Sequence, residues 1–176
     1  MDRVDRGRRL VVRQDTINEC YMTWLPTGCA RPDLAELDAF WAAADLTGPY
    51  AVRWIGLDDE STEQVIDLIR AGDKTGTFTL PWIVARTAEP TPAVGDAIIL
   101  VDFGGHPRLI VRLKNIEQVA FGQITTTHTA LDGTPVRDLA IWKPMHTQYW
   151  NAMLAPHNLV VDEDMPVWVE AFELLR

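Results

Sequence analysis

Thirteen arginines and only three lysines, Lys74, Lys114 and Lys143, supply the positive charge of this 176-residue chain. Lysine differs from arginine in one chemically useful way: desolvated, it can give up its proton near neutral pH and act as a base. Lys74 opens the segment Lys74-Thr75-Gly76-Thr77-Phe78-Thr79-Leu80, which carries three threonine hydroxyls. A second group is Trp142, His146 and Trp150, spaced i, i+4 and i+8 on one face of a helical pattern. Such rings either fill a core or stack on a base that the imidazole hydrogen-bonds. His106 falls in a turn, and His128 and His157 have no partners at ligand spacing, so neither a metal site nor a cofactor is expected. Cys20 and Cys29 lack the CxxC spacing and read as packing residues or free thiols. Gly104-Gly105 joins two predicted strands instead of opening a helix, so it is no phosphate cradle.

The elements that must position these groups can be read from periodicity. Pro32 and Asp33 open a pattern of Leu34, Leu37, Trp41 and Ala44 that predicts a helix ending near Gly48, and 50–55 reads as a short strand. Ser61 with Gln64 resembles a capping box, and Val65, Ile66, Leu68 and Ile69 form a helical stripe stopped at Gly72. That helix delivers the chain to the threonine-rich segment, which reads as a strand. Residues 96–102 and 108–113 form a predicted hairpin, 116–121 a further strand, 122–131 a short helix and 132–135 a turn. A helix starts at Ile141, and 165–175 closes the chain as a strand. Short strands broken by helices, without a βαβ rhythm, predict an α+β fold: a small mixed β-barrel with flanking helices. Residues 1–30 read as an N-terminal appendage packed partly on a single domain of residues 31–176. In a regular strand Lys74 and Thr77 face opposite sides while Thr75, Thr77 and Thr79 share one. A bulge at Gly76 would bring Lys74 and Thr77 together.

Composition narrows the partners. With 47% apolar and 23% charged residues, a mean hydropathy of −0.05 and no apolar run near the roughly 18 residues of a membrane helix, no membrane association is expected. The arginines and aspartates of the first ten residues interrupt any signal-like stretch, so a cytoplasmic location is expected. Sixteen basic against 25 acidic residues give a net charge of −9, which argues against gripping duplex phosphate and favours a small neutral or mixed-character ligand.

The order of motifs from residue 38 onward resembles the ASCH domain, a relative of the PUA-type RNA-binding barrels, in its longer bacterial form. The matching pieces are Ala39-Phe40-Trp41, Ala71-Gly72-Asp73-Lys74-Thr75-Gly76-Thr77, Pro92-Ala93-Val94-Gly95-Asp96, Asp102-Phe103-Gly104-Gly105 and Val119-Ala120-Phe121. Asp132-Gly133, Trp142-Lys143-Pro144-Met145-His146 and Asp162-Glu163-Asp164-Met165-Pro166 complete the series. The resemblance implies a PUA-like pseudobarrel whose cleft is lined by the lysine-threonine segment and by the turn before the Trp142 helix. The chain departs from the family pattern at Asp132, where a glutamate is usual, at Asp138, where a serine is usual, and at Ile55-Gly56, where Phe-Gly is usual.

Small bacterial relatives of the family are similar to amidohydrolases that remove an acyl group from the exocyclic nitrogen of cytidine. Carried over by motif, their lysine, threonine and carboxylate are Lys74, Thr77 and Asp132. A threonine hydroxyl is a poor nucleophile until a base takes its proton, and a desolvated lysine can be that base. Thr75, Thr79, Trp142, Lys143 and His146 are the residues expected to contact the ligand, a nucleoside or a single-stranded or modified RNA. A non-catalytic RNA-binding or regulatory module and a ribonuclease are the alternatives. The acidic balance predicts that long RNA binds weakly and with a shallow dependence on salt. Anisotropy titrations of a labelled RNA at two salt concentrations check this; tight binding with a steep salt slope contradicts it.

Overall fold

The computed structural model describes residues 28–56, 58–86 and 91–176. Asp33 caps the first helix, α1 (Leu34–Ala42), by accepting from Ala35 N at 2.7 Å. The short strand β1 (Ala51–Trp54) follows. The next helix, α2 (Asp59–Arg70), starts two residues ahead of Ser61. The Asp58 carboxylate accepts from Ser61 N at 2.7 Å, and the Ser61 hydroxyl accepts from Asp58 N at 3.0 Å. The capping box is therefore real but runs from Asp58 to Ser61, with Ser61 as its inner partner. Gly72, in the left-handed region at φ +71, ends the helix, and Gly72 N and Asp73 N donate back to Ile69 O and Leu68 O. This closure leaves Lys74 in the turn just before β2 (Gly76–Thr79).

The remaining elements are α3 (Pro81–Val84), β3 (Ala97–Val101), β4 (Pro107–Ala120), α4 (Thr126–Thr129), α5 (Leu139–Leu154) and β5 (Pro166–Leu174). The two strands expected over 108–113 and 116–121 are one. The polar pair Lys114-Asn115 interrupts the apolar alternation, but the backbone pairing absorbs it as a register shift between Leu113 and Asn115. The sheet order is β1-β3-β4-β5-β2, with β1 parallel to β3 and all other pairs antiparallel. Because β4 pairs with β3 along its first half and with β5 from Val111 onward, the sheet curls into a half-barrel.

Three apolar clusters hold helices to this sheet. Ile66 and Ile69 of α2 pack on Ile98, Leu100, Val111 and Phe172. Leu37 and Trp41 of α1 cover the opposite face of the same strands at Ile99, Val101 and Ile110. Trp142, Trp150 and Leu154 of α5 pack on Phe78, Val167 and Val169. The architecture is the expected α+β pseudobarrel with flanking helices. Of the expected appendage, residues 1–27, with Cys20, lie outside the described residues; Ala30 N donates to Phe103 O at 2.7 Å, and Cys29 is a free thiol. No helix among the described residues is long and apolar enough to cross a membrane.

Gly76 does not form the expected bulge. It pairs with Ala171, and Thr77, Phe78 and Thr79 pair in unbroken register with Glu170, Val169 and Trp168. Glycine is needed here for close approach: a Cβ would stand 2.7 Å from Leu131 Cβ and 2.8 Å from Glu170 O. Leu131 O in turn accepts from both Thr75 N and Gly76 N, tying the loop after α4 to the strand edge. Gly76→Ala is expected to lower stability by about 1–3 kcal/mol, since backbone must move to admit the methyl group. Urea unfolding checks this, and an unchanged midpoint contradicts it.

Candidate active site

At the start of β2, Lys74 Nζ donates to Asp132 Oδ1, and the two side chains are only 13% and 9% exposed. The residue next to Lys74 builds this meeting. Asp73 Oδ2 accepts from Thr134 N at 2.9 Å, its carbonyl accepts from Arg137 Nη2 at 2.7 Å, and its carboxylate pairs with the Arg137 guanidinium. The Thr134 N–H chiefly, with the Arg137 charge behind it, holds the Asp73 carboxyl below the usual carboxylate range. Asp73 thus grips the loop that carries Asp132, and Gly133 N donates to Asp132 Oδ1 at 3.0 Å.

Behind the pair lies an aromatic wall. Phe78, on the buried face of β2, meets Trp142 edge-on at 4.7 Å and His146 at 5.5 Å. The His146 ring stacks on Trp142 at 4.0 Å, and its Nδ1 lies 3.0 Å from Trp142 O. A carbonyl can only accept, so Nδ1 carries the proton and Nε2 keeps a lone pair. Burial pushes the His146 pKa down to about 4, with Asp132 raising it and Lys74 lowering it by smaller amounts. The imidazole is neutral at pH 7. Trp142 has no exposed surface and belongs to the core, while Lys143 on the outer side of α5 pairs with Glu163 at 3.0 Å.

The threonines look the other way. Thr75, Thr77 and Thr79 are half-buried and alternate with buried Gly76 and Phe78, so they face away from Trp142 and His146. Opposite Thr77 on β5 stands Glu170, with no exposed surface; its Oε2 accepts from Arg53 Nη1 at 2.6 Å. Its Oε1 has no hydrogen-bond partner among the described residues. Sequence reasoning passed over Glu170, although an acidic residue inside the apolar run Val167-Trp168-Val169-Glu170-Ala171-Phe172 was a usable signal.

The edge strand β2 thus divides the expected residues into an aromatic group with His146, near which the Lys74–Asp132 pair lies, and a hydroxyl group with Thr77 on the other face; without a bulge at Gly76 the strand does not bring Lys74 and Thr77 together as expected. A buried ammonium–carboxylate pair can exchange a proton, and Thr77 Oγ1 is a potential nucleophile. Among the described residues no three His, Cys, Asp or Glu side chains gather to hold a metal ion.

His146 makes stability pH-dependent with a definite sign. Its folded pKa of about 4 lies below the ordinary 6.5, so the unfolded chain takes up the proton first as pH falls. Its contribution is complete above pH 6.5 and is lost as pH falls through 4, on the order of 3 kcal/mol in all, of which about 2 kcal/mol falls between pH 7 and pH 4.5. The difference in urea stability between pH 7 and pH 4.5 is therefore expected to be smaller by about that amount in His146→Phe than in the parent chain. An equal difference in both proteins contradicts the shift.

Solved structures share this architecture. The ASCH domain from Lactobacillus crispatus JV V101 superposes with a TM-score of 0.72 at 18% identity, covering 85% of this chain and 97% of the other. Protein EF3133 from Enterococcus faecalis V583 superposes with a TM-score of 0.67 at 22% identity, covering 80% of this chain and 85% of the other. Identities this low establish the fold. No curated protein matches the chain. The sequence model of the ASCH domain matches residues 53–176, from β1 to the end of the chain. With its lysine-threonine segment, its Asp132 turn and its closing strand all inside that span, the chain belongs to the ASCH domain family, of PUA-like fold.

Proposed function

We propose that this ASCH domain recognises a nucleoside and hydrolyses the amide of N4-acylcytidine-type substrates, with Lys74, Thr77 and Asp132 as the reacting groups. The observation that carries the reading is the largely buried Lys74–Asp132 pair. Taking both charges out of water is costly, and a well-packed apolar pair would serve stability as well, so the pair is better accounted for by proton transfer than by folding.

Within the pair, the lysine proton passes to Asp132. No bulge turns Thr77 toward Lys74, so the Thr77 hydroxyl proton reaches the Lys74 amine around the end of β2 through one bound water as Oγ1 attacks the acyl carbonyl carbon. The C–N bond breaks, the exocyclic amine leaves with the proton from Asp132, and the acyl group remains on Thr77 as an ester. The Lys74 proton then passes to Asp132 once more, the regenerated Lys74 amine deprotonates a water molecule that attacks the ester carbonyl, and Thr77 leaves with the proton from Asp132. The net reaction is amide plus water giving cytidine plus a carboxylic acid. Thr75 and Thr79 offer hydroxyls on the same face as Thr77, Trp142 and His146 form the rigid wall behind Phe78, and Lys143 lies on the outer rim of α5.

Lys74→Arg separates this reading from that of a non-catalytic RNA-binding module. Guanidinium keeps the charge but cannot release a proton at working pH, so hydrolysis of N4-acetylcytidine is expected to fall at least about a hundredfold while ligand binding persists. Thr77→Ser is expected to retain part of the activity and Thr77→Val none. Release of free cytidine by the purified protein and these variants is the measurement. Full hydrolysis by Lys74→Arg overturns the lysine-base mechanism, and a parent chain inert toward a panel of N4-acylated cytidines overturns the hydrolytic reading.

A further inference from the structure

Glu170 Oε1 is a buried carboxylate oxygen with no hydrogen-bond partner among the described residues, while Arg53 answers Oε2. Such an atom is costly to leave unpaired, and it stands directly opposite Thr77, on the same face of the sheet. The geometry points to a nucleobase subsite on this face, in which Glu170 Oε1 accepts the amide N–H of the acylated base and the Trp168 indole stacks on its ring. This rests on the nucleoside reading of Thr77. The ligand class is a planar heterocycle carrying an exocyclic N–H.

The rungs of the sheet set the dimensions. With the acyl carbon against Thr77 Oγ1, the next atom of the substrate is the amide nitrogen, and its hydrogen falls on the rung that Thr77 shares with Glu170. A carboxylate is the acceptor suited to an exocyclic amine hydrogen of cytosine. Two residues along β5, roughly 7 Å away and so about one pyrimidine ring further, Trp168 faces the same side. It is half-buried, with Thr79 opposite it on β2 and Gln118 opposite it on β4. Trp168 Nε1 donates to Gln118 Oε1 at 3.2 Å, which fixes the indole edge. No aromatic ring or cation stacks on that indole among the described residues. The Arg53 side chain is 23% exposed, so solvent reaches the ion pair at its Arg53 end, while Glu170 itself has no exposed surface.

The test compares N4-acetylcytidine with N4-acetyl-N4-methylcytidine, which lacks the N–H, by equilibrium dialysis against the non-turning-over Thr77→Val chain. The N–H ligand is expected to bind about tenfold tighter or more. That preference is expected to collapse in a Glu170→Met, Thr77→Val chain, and because it is a ratio, a general loss of stability cancels. If Glu170→Met does not fold, Arg53→Met with Glu170→Met removes both charges together and replaces it. Trp168→Ala is expected to weaken both ligands about tenfold or more, and Trp168→Phe to restore most of the loss, as stacking requires. The subsite is overturned by equal binding of the two ligands, by a preference that survives the loss of Glu170, by unaltered binding in Trp168→Ala, or by no binding at millimolar ligand. Discriminating binding to Thr77→Val without hydrolysis by the parent chain sinks the hydrolytic reading and leaves the subsite standing. Hydrolysis with no effect of these changes on KM does the reverse.

Discussion

A carboxylate with no exposed surface must be answered by a cation, and the cation that answers Glu170 comes from the far side of the sheet. In the strand order, β1 and β5 are separated by β3 and β4. Three strand spacings in a flat sheet amount to roughly 14 Å, yet Arg53 Nη1 and Glu170 Oε2 are 2.6 Å apart. In a flat sheet the two side chains would span that distance only by lying fully extended across β3 and β4; the curl of the sheet, with register shifts in its β3–β4 and β4–β5 pairings, brings them together. The curl gives the pseudobarrel its inside, and the ion pair follows from it on the same face of the sheet as Thr77. Breaking one partner leaves a charge buried alone, which is far costlier than the pair is stabilising.

The edge strand β2 is the hinge between two chemistries because a strand has two faces and, among the described residues, no further strand pairs with its outer side. One face supplies Phe78 to the core beneath α5; the other supplies the hydroxyls. Lys74 escapes this alternation only because it precedes the strand, in the left-handed closure of α2 at Gly72. A helix of different length would turn the lysine elsewhere. Asp73 then fixes the opposing loop, so the position of Asp132 depends on a neighbour of Lys74 and not on Lys74 itself.

Local patterns were legible wherever backbone chemistry decides locally. Gly72 ends α2 as its position after the apolar stripe predicts, and the alternation over 75–80 predicts the threonine face. Asp138, which stands where relatives carry serine, accepts from Ala140 N at 2.9 Å and caps α5; either side chain can fill that role, so the departure is structurally mild. Ser61 misled by three residues because aspartate and serine both cap helices, and the choice between Asp58 and Ser61 depends on where β1 releases the chain. The split of β4 had a similar cause, since Lys114-Asn115 looks like a turn to a one-dimensional reading, while the pairing partner across the sheet carries the strand through. Arg53 and Glu170, 117 residues apart, share no local pattern at all. Their meeting is a property of the curl, which no short window of sequence contains.

The charges around Thr77 also bear on what the cleft suits. Lys74 is held by Asp132, Arg53 by Glu170, and Lys143 on the rim by Glu163. Each of these cations is therefore already neutralised by a carboxylate of the same chain. A phosphodiester would have to compete with an existing partner at every one of them, and on a molecule of net charge −9 it gains no long-range attraction in compensation. A neutral, planar ligand meets no such competition: it needs donors, acceptors and an aromatic face, the roles proposed above for Thr77, Glu170 and Trp168. The PUA-like fold is shared with RNA-binding barrels, but a polyanion finds no unpaired cation among Lys74, Arg53 and Lys143.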